Sequence, residues 1–169
     1  MAKQTKPLDE LFHDGLRDMY FVAKKKLAAL PKMTKAARNA ELKAAFERHQ
    51  REVEHQLSRL EKMFAAAGRK PQARTGPAIV AILDEAQAII EDYEGSAALD
   101  PGLVAAAQAA LHYEIARYDA LRIWAQALGM SACVVLIDEI LDENEDAENG
   151  LFELADTLAN ETVRQNQAA

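Results

Sequence analysis

With 169 residues, half of them apolar but only 6% aromatic, the chain is long enough to bury a substantial core within one domain. Abundant alanine, with only seven glycines and five prolines, favours closely packed helices over a β-rich fold. A formal net charge of −7 argues against nucleic acid as the main partner, because binding phosphates needs a basic face.

In chain order, Pro7 suits the first turn of a long helix that runs to about Leu30, where Pro31 is expected to interrupt it, followed by a short helical piece. A second long helix is predicted from about Asn39 to Ala67, with Gly68 as its C-cap. Residues 69–76 form a basic linker. A short helix from about Pro77 to Asp92 then places Ile79, Ile82, Leu83, Ala86 and Ile90 on one side. Asp100-Pro101 reads as an N-cap and first-turn proline for a third long helix, which ends at Gly129. Ser131 can cap a fourth, reaching about Val163, and residues 164–169 look frayed.

Tight connections make the first and last pairs of long helices antiparallel. The crossover at 69–99 is long enough to span the bundle and leave the second and third long helices parallel, as in ferritin-like folds. The expected fold is therefore all-α, a four-helix bundle in one domain over residues 1–169.

A single cysteine, Cys133, excludes an intrachain disulfide and fits a reducing compartment. It falls among Ile137 and Ile140, as a structural thiol would. The opening Met-Ala-Lys-Gln-Thr-Lys lacks the apolar core of a signal peptide, and no apolar run approaches the roughly 18 residues of a membrane span. A cytoplasmic location without a membrane role is expected. The run Lys24-Lys25-Lys26 reads as a solvated helix face rather than a phosphate site. Trp124 falls at the edge of its helix's apolar stripe, where core periphery is favoured over an association surface.

Polar residues inside the apolar stripes carry more information. At about 100° per residue, the first long helix buries Leu16, Tyr20, Ala23, Leu27 and Leu30, with Asp14 and Asp18 beside the stripe. The second buries Leu42, Phe46, Val53, Leu60 and Phe64, and His49, Glu52 and Gln56 face inward with them. Glu52-x-x-His55 has di-iron spacing, yet His55 lies about 120° from His49 and belongs near the boundary. Glu114 is centred in the third stripe, between Ala110 and Tyr118. Asn144 and Glu148 point inward from the fourth, while the rest of the acidic run at 142–148 spreads over the exterior.

An unpaired buried carboxylate costs several kcal/mol in a fold stable by only about 5–15 kcal/mol. Glu52, Glu114 and Glu148 with His49 therefore suggest a cation, Fe or Mn and less distinctively Zn. A hydrogen-bonded polar layer, with Tyr20, Tyr118, Gln56 and Asn144 as donors, is the alternative. Phosphate loops, Ser-His-Asp arrangements and paired-cysteine zinc motifs are absent.

The segments Leu8-Asp9-Glu10-Leu11-Phe12, Leu16-Arg17-Asp18-Met19-Tyr20, Leu30-Pro31-Lys32-Met33 and Leu42-Lys43-Ala44-Ala45-Phe46, the last leading to His49 and Glu52, occur in order along the chain. His112-Tyr113-Glu114-Ile115-Ala116 with Tyr118, and Leu128-Gly129, follow. Together they resemble the YciE/YciF-like family of ferritin-fold bacterial proteins over about residues 8–158. The resemblance implies a di-metal site between four helices, a stress-associated setting and a frequent dimer. It matches His49, Glu52, Glu114 and Glu148 to family ligands. It also sets Ala23 and Asn144 where the family pattern carries glutamates. The remaining donors suit at most one ion with waters and argue against oxidase chemistry by two coupled metals. A metal-free structural or interaction bundle, acting as a homodimer with no identified protein partner, is the competing expectation. An active di-iron oxidase or peroxidase is a weaker third.

Overall fold

A computed structural model describes residues 6–167, apart from the side chain of Asn166. Residues 1–5, which hold most of the opening segment, and 168–169, the end of the expected frayed tail, lie outside the described residues. Among the described residues there are five helices and no strand: α1 (Leu8–Ala36), α2 (Ala40–Ala66), α3 (Pro77–Asp92), α4 (Leu99–Ala127) and α5 (Ser131–Gln167). None is long and apolar enough to cross a membrane.

The ends of α2 follow from local chemistry. The Asn39 side chain accepts the amides of Glu41 and Leu42 at the N-terminus. At the C-terminus Gly68 adopts φ 67°, and the Arg69 amide reaches back to the Phe64 carbonyl. Gly129 closes α4 in the same way, with φ 70° and a bond from the Met130 amide to the Ala125 carbonyl. Both positions need the left-handed region, which glycine enters without a Cβ penalty.

Three expectations are corrected. Pro31 does not interrupt the first helix, and no separate short piece follows; α1 runs through the proline to Ala36. A mid-helix proline costs about 3 kcal/mol, but Leu30, Met33 and Ala37 are all buried around it and hold the turn. The Thr34 hydroxyl also donates to the Leu30 carbonyl. Asp100 does not cap its own helix, since α4 starts one residue earlier at Leu99. Its buried carboxylate instead accepts the backbone amides of Arg38 (2.8 Å) and Asn39 (2.7 Å), tying α4 to the corner between α1 and α2. The last helix continues past Val163 to Gln167, and the Thr162 hydroxyl shares its hydrogen between the Leu158 and Ala97 carbonyls.

Helix α1 packs on α2 and α4, and α5 packs on α4 and α2; α3 lies against α4 and α1. Contacts between the long neighbours run in opposed register. Tyr20 meets Glu61 while Lys26 meets His49. Asp18 meets Arg117 while Lys26 meets Glu114. Arg122 meets Asp138 while Gln108 meets Glu148, and Gln56 meets Asn144 while Arg59 meets Glu139. Leu16, Leu42, Phe46, Leu60, Phe64, Leu103, Ile137 and Ile140 fill the space between. Each such side chain contributes about 1.5–3 kcal/mol by leaving water.

The basic linker is held down rather than free. Arg74 grips Asp18 through two nitrogens at 2.7 Å each and Asp14 at 3.0 Å, and its amide bonds to the Arg17 carbonyl. Arg117 of α4 meets the same Asp18 carboxylate at 3.1 Å. The two aspartates beside the first stripe are thus the anchor of the linker.

Asp100→Ala strands two backbone amides and should lower stability by about 2 kcal/mol. The shift in the urea midpoint at unchanged slope measures it.

Candidate metal centre

Every inward residue of the second stripe except Glu52 is buried: Leu42, Phe46, His49, Val53, Gln56, Leu60 and Phe64. Glu52 is half-buried beside His49, and His55 is exposed. On α4, Glu114 is 2% exposed, with Tyr118 buried one turn on. On α5, Asn144 is fully buried and Glu148 half-buried, whereas Asp142, Glu145 and Asp146 are exposed. Cys133 is buried and free, and Trp124 is half-buried against the core.

The basic run divides. Lys24 and Lys25 are exposed, their ammonium groups over the rings of Tyr20 and Phe21. Lys26, expected in solvent with them, is 3% exposed. Its Nζ lies 2.6 Å from Glu114 Oε1 and 2.6 Å from His49 Nε2. The contact to Oε1 has ion-pair distance but not hydrogen-bond angles, so the attraction is chiefly between charges. The reason for its burial was present in the sequence: Lys26 sits about 40° from Leu30 and about 60° from Ala23, inside the stripe. The buried Lys26 thus adds a charge to a stripe expected to consist of Leu16, Tyr20, Ala23, Leu27 and Leu30.

These contacts decide the state of the imidazole. An ammonium can only donate, so His49 Nε2 accepts. Its proton therefore resides on Nδ1, which donates to Glu52 Oε2 at 3.0 Å. Burial and the Lys26 charge lower the His49 pKa, with Glu52 and Glu114 opposing them, and the neutral ring follows. The contact with His49 helps hold Glu52 below the usual carboxylate range against its partial burial. Burial raises the Tyr118 hydroxyl well above its ordinary value, helped by the nearby Glu114 and Glu143 charges.

The other expected donors form separate arrangements. The Gln56 amide donates to Asn144 Oδ1 (3.0 Å) and Glu143 Oε2 (3.1 Å), and Arg59 ties Glu143 to Glu139. Among the described residues Asn144 Nδ2 has no hydrogen-bond partner. The Tyr20 hydroxyl turns outward to Glu61 at 3.0 Å. Glu148 accepts from Gln108 at 3.1 Å and lies 3.4 Å from His112 Nε2. Of the four residues expected to gather, His49 and Glu114 meet at Lys26, Glu52 bonds the other nitrogen of His49, and Glu148 stands apart on the α4–α5 flank.

A ferritin-type two-metal centre draws a glutamate from each of two helices and a Glu-x-x-His pair from each of the others. Here the buried Ala23 of α1 and Asn144 of α5 offer no carboxylate, and an ammonium lies against His49 and Glu114. Among the described residues no three His, Cys, Asp or Glu side chains are grouped to hold an ion. The donor set does not fit two metals.

Five helices with a buried ion pair in their interior define an all-helical protein. The chain matches, over residues 7–164, the family described as "Domain of unknown function (DUF892)", and it belongs to that family. It is 32% identical to protein YciF of Escherichia coli K12 over 151 residues, covering 89% of this chain and 91% of that one. The crystal structure of the E. coli stress protein YciF superposes with a TM-score of 0.88 at 31% identity, covering 92% of this chain and 99% of that one. YcfI of Rhodopseudomonas palustris gives 0.85 at 34% identity, over 89% and 96%. A Xanthomonas campestris protein at 20% identity shares the fold, with a TM-score of 0.75 over 95% and 98%.

Removing one partner of the buried ion pair should be costly, and removing both should not. Lys26→Met and Glu114→Leu are each expected to lose about 3–5 kcal/mol, while the double variant returns close to wild type. A double-mutant cycle by chemical denaturation measures the coupling.

The lowered His49 pKa fixes a sign for the pH dependence. The folded protein binds fewer protons than the unfolded chain, whose histidine titrates near 6.5. This stability is therefore present above that pH and is lost as the pH falls through it. His13 is lowered in the same sense, so the His49 share is read as the difference between wild-type and His49→Gln melting curves from pH 8 to 5.

Proposed function

We propose that this protein is a non-catalytic structural bundle of the YciF type, serving in a stress response, whose inter-helix site holds at most one ion. The proposed architecture is a single ferritin-like domain of two antiparallel helix pairs, joined by a crossover at 69–99 that carries α3. The opposed registers of α1 with α2 and of α4 with α5 support it. The relative described as a stress protein supports the setting.

One observation carries the functional reading. The carboxylates that two coupled metals require are interrupted at Ala23 and Asn144, both buried, and Glu148 is engaged with Gln108 and His112 instead. Bridging ligands from all four long helices are what a two-metal oxidase uses to hold its ions at working separation. Without them, His49, Glu52 and Glu114 act as parts of the core's polar layer. Fe, Mn or Zn would be at most a single, structural guest.

We also propose a homodimer. Phe152 of α5 is 69% exposed beside the exposed Ala105 and Ala109 of α4, and an apolar patch left in water favours a protein contact. The buried single thiol suits a reducing cytoplasm, and the net charge of −7 disfavours nucleic acid.

Mixing the metal-free protein with Fe(II) and peroxide should leave iron oxidation at the rate of the protein-free control. Peroxide-dependent oxidation with two irons retained per chain would sink the proposal. Light scattering should give twice the 18.6 kDa chain mass, shifted toward monomer by Phe152→Asp.

A further inference from the structure

We infer that Lys26 is the resident cation of this site: its tethered ammonium stands where an ion would, so the wild-type chain takes up no divalent metal until Lys26 is removed. This deepens the proposal of a degenerate site and rests on it.

The position of the nitrogen is the first ground. Nζ is equidistant, at 2.6 Å, from an imidazole nitrogen on α2 and a carboxylate oxygen on α4. A zinc ion needs about 2.0–2.2 Å to the same atoms, a closure of roughly half an ångström that side-chain torsions can supply. The tautomer is the second ground. With Nδ1–H donating to Glu52, the Nε2 lone pair already faces the cation, which is the carboxylate–histidine arrangement that orients metal-bound imidazoles.

Sequence position explains how lysine reaches the place. Helical side chains lean toward the N-terminus, so Lys26 lies back over the turn that carries Ala23. The small Ala23 side chain leaves room for the lysine stem, and both residues are buried. With alanine at 23 and lysine at 26, the ammonium neutralises Glu114 when no ion is present.

Charge gives the consequence. With His49 neutral, Lys26 is the cation within contact distance of the buried Glu114, and Glu52 lies against the other nitrogen of His49. A divalent ion entering beside the ammonium meets like charge at contact distance. Taking the ammonium away leaves Glu114 uncompensated, which an ion can correct. A cavity of about 30 Å³ adjoins Lys26 and His49. Together with the space vacated by the lysine stem, it admits the waters that complete a coordination shell.

The test compares wild type, Lys26→Ala, Lys26→Arg and Lys26→Ala/Glu114→Gln, each stripped with chelator and titrated with Zn²⁺ and separately with Mn²⁺. Bound ion per chain and melting temperature are read together. Wild type and Lys26→Arg should bind none and melt unchanged with metal. Lys26→Ala should melt roughly 10 °C lower in chelator, bind about one ion per chain, and regain much of the loss with zinc. Adding Glu114→Gln should abolish that uptake. Should Lys26→Ala not fold alone, refolding it or Lys26→Gln with zinc present reads the same quantity: recovery supports the inference and no recovery overturns it. One ion per wild-type chain, or none in a folded Lys26→Ala, overturns the surrogate cation while leaving the degenerate site standing. Two ions per wild-type chain would overturn the degenerate site itself.

Discussion

Glu114 sits in the middle of α4, 2% exposed, and a carboxylate there stays charged only if a cation meets it. The Lys26 ammonium does so across the α1–α4 contact, and His49 and Glu52 are ordered by that pairing. Because the ammonium also donates to His49, the imidazole is neutral and its other nitrogen is committed to Glu52. One side chain thus sets the charge of α4, the tautomer on α2 and the direction of a surface carboxylate. Such pairs add little net stability over an apolar core, but breaking one is expensive, which makes the lateral register of α1, α2 and α4 hard to change.

A second layer of charge works from the outside. Arg74 and Arg117 converge on Asp18, and Arg74 also holds Asp14, so the segment between α2 and α3 is strapped to α1 and α4 together. Asp100 performs a related task at the other end, where its carboxylate closes the corner before α2. Both use charge-assisted bonds to backbone or guanidinium groups, about twice as strong as neutral ones, at places where the chain changes direction. The interior pair and these two anchors fix the helices at three heights.

For the family the consequence is chemical. The interior of this all-helical fold carries a histidine and a glutamate turned onto a lysine. The relatives YciF and YcfI share the architecture at about a third identity. At that distance a few side chains at the centre can change while the packing of the helices persists, because the packing depends on apolar stripes elsewhere.

Much of this was legible from residue order. Helical periodicity located the stripes, and the burial of His49, Gln56, Glu114 and Asn144 follows from nothing more than about 100° per residue. Caps and glycines located most helix ends, because those are local interactions within a few residues. Pairings between helices were beyond local order. That Glu114 is met by Lys26, that Glu148 turns to Gln108 and His112, that Asp100 serves a neighbouring corner, and that α1 survives Pro31 all depend on which helix lies alongside. A wheel gives direction around one axis but not what stands opposite. The sequence by itself therefore determined which groups point into the core, and only the tertiary structure decided their partners, since charge in a low-dielectric interior is settled by distance across helices rather than by position along one.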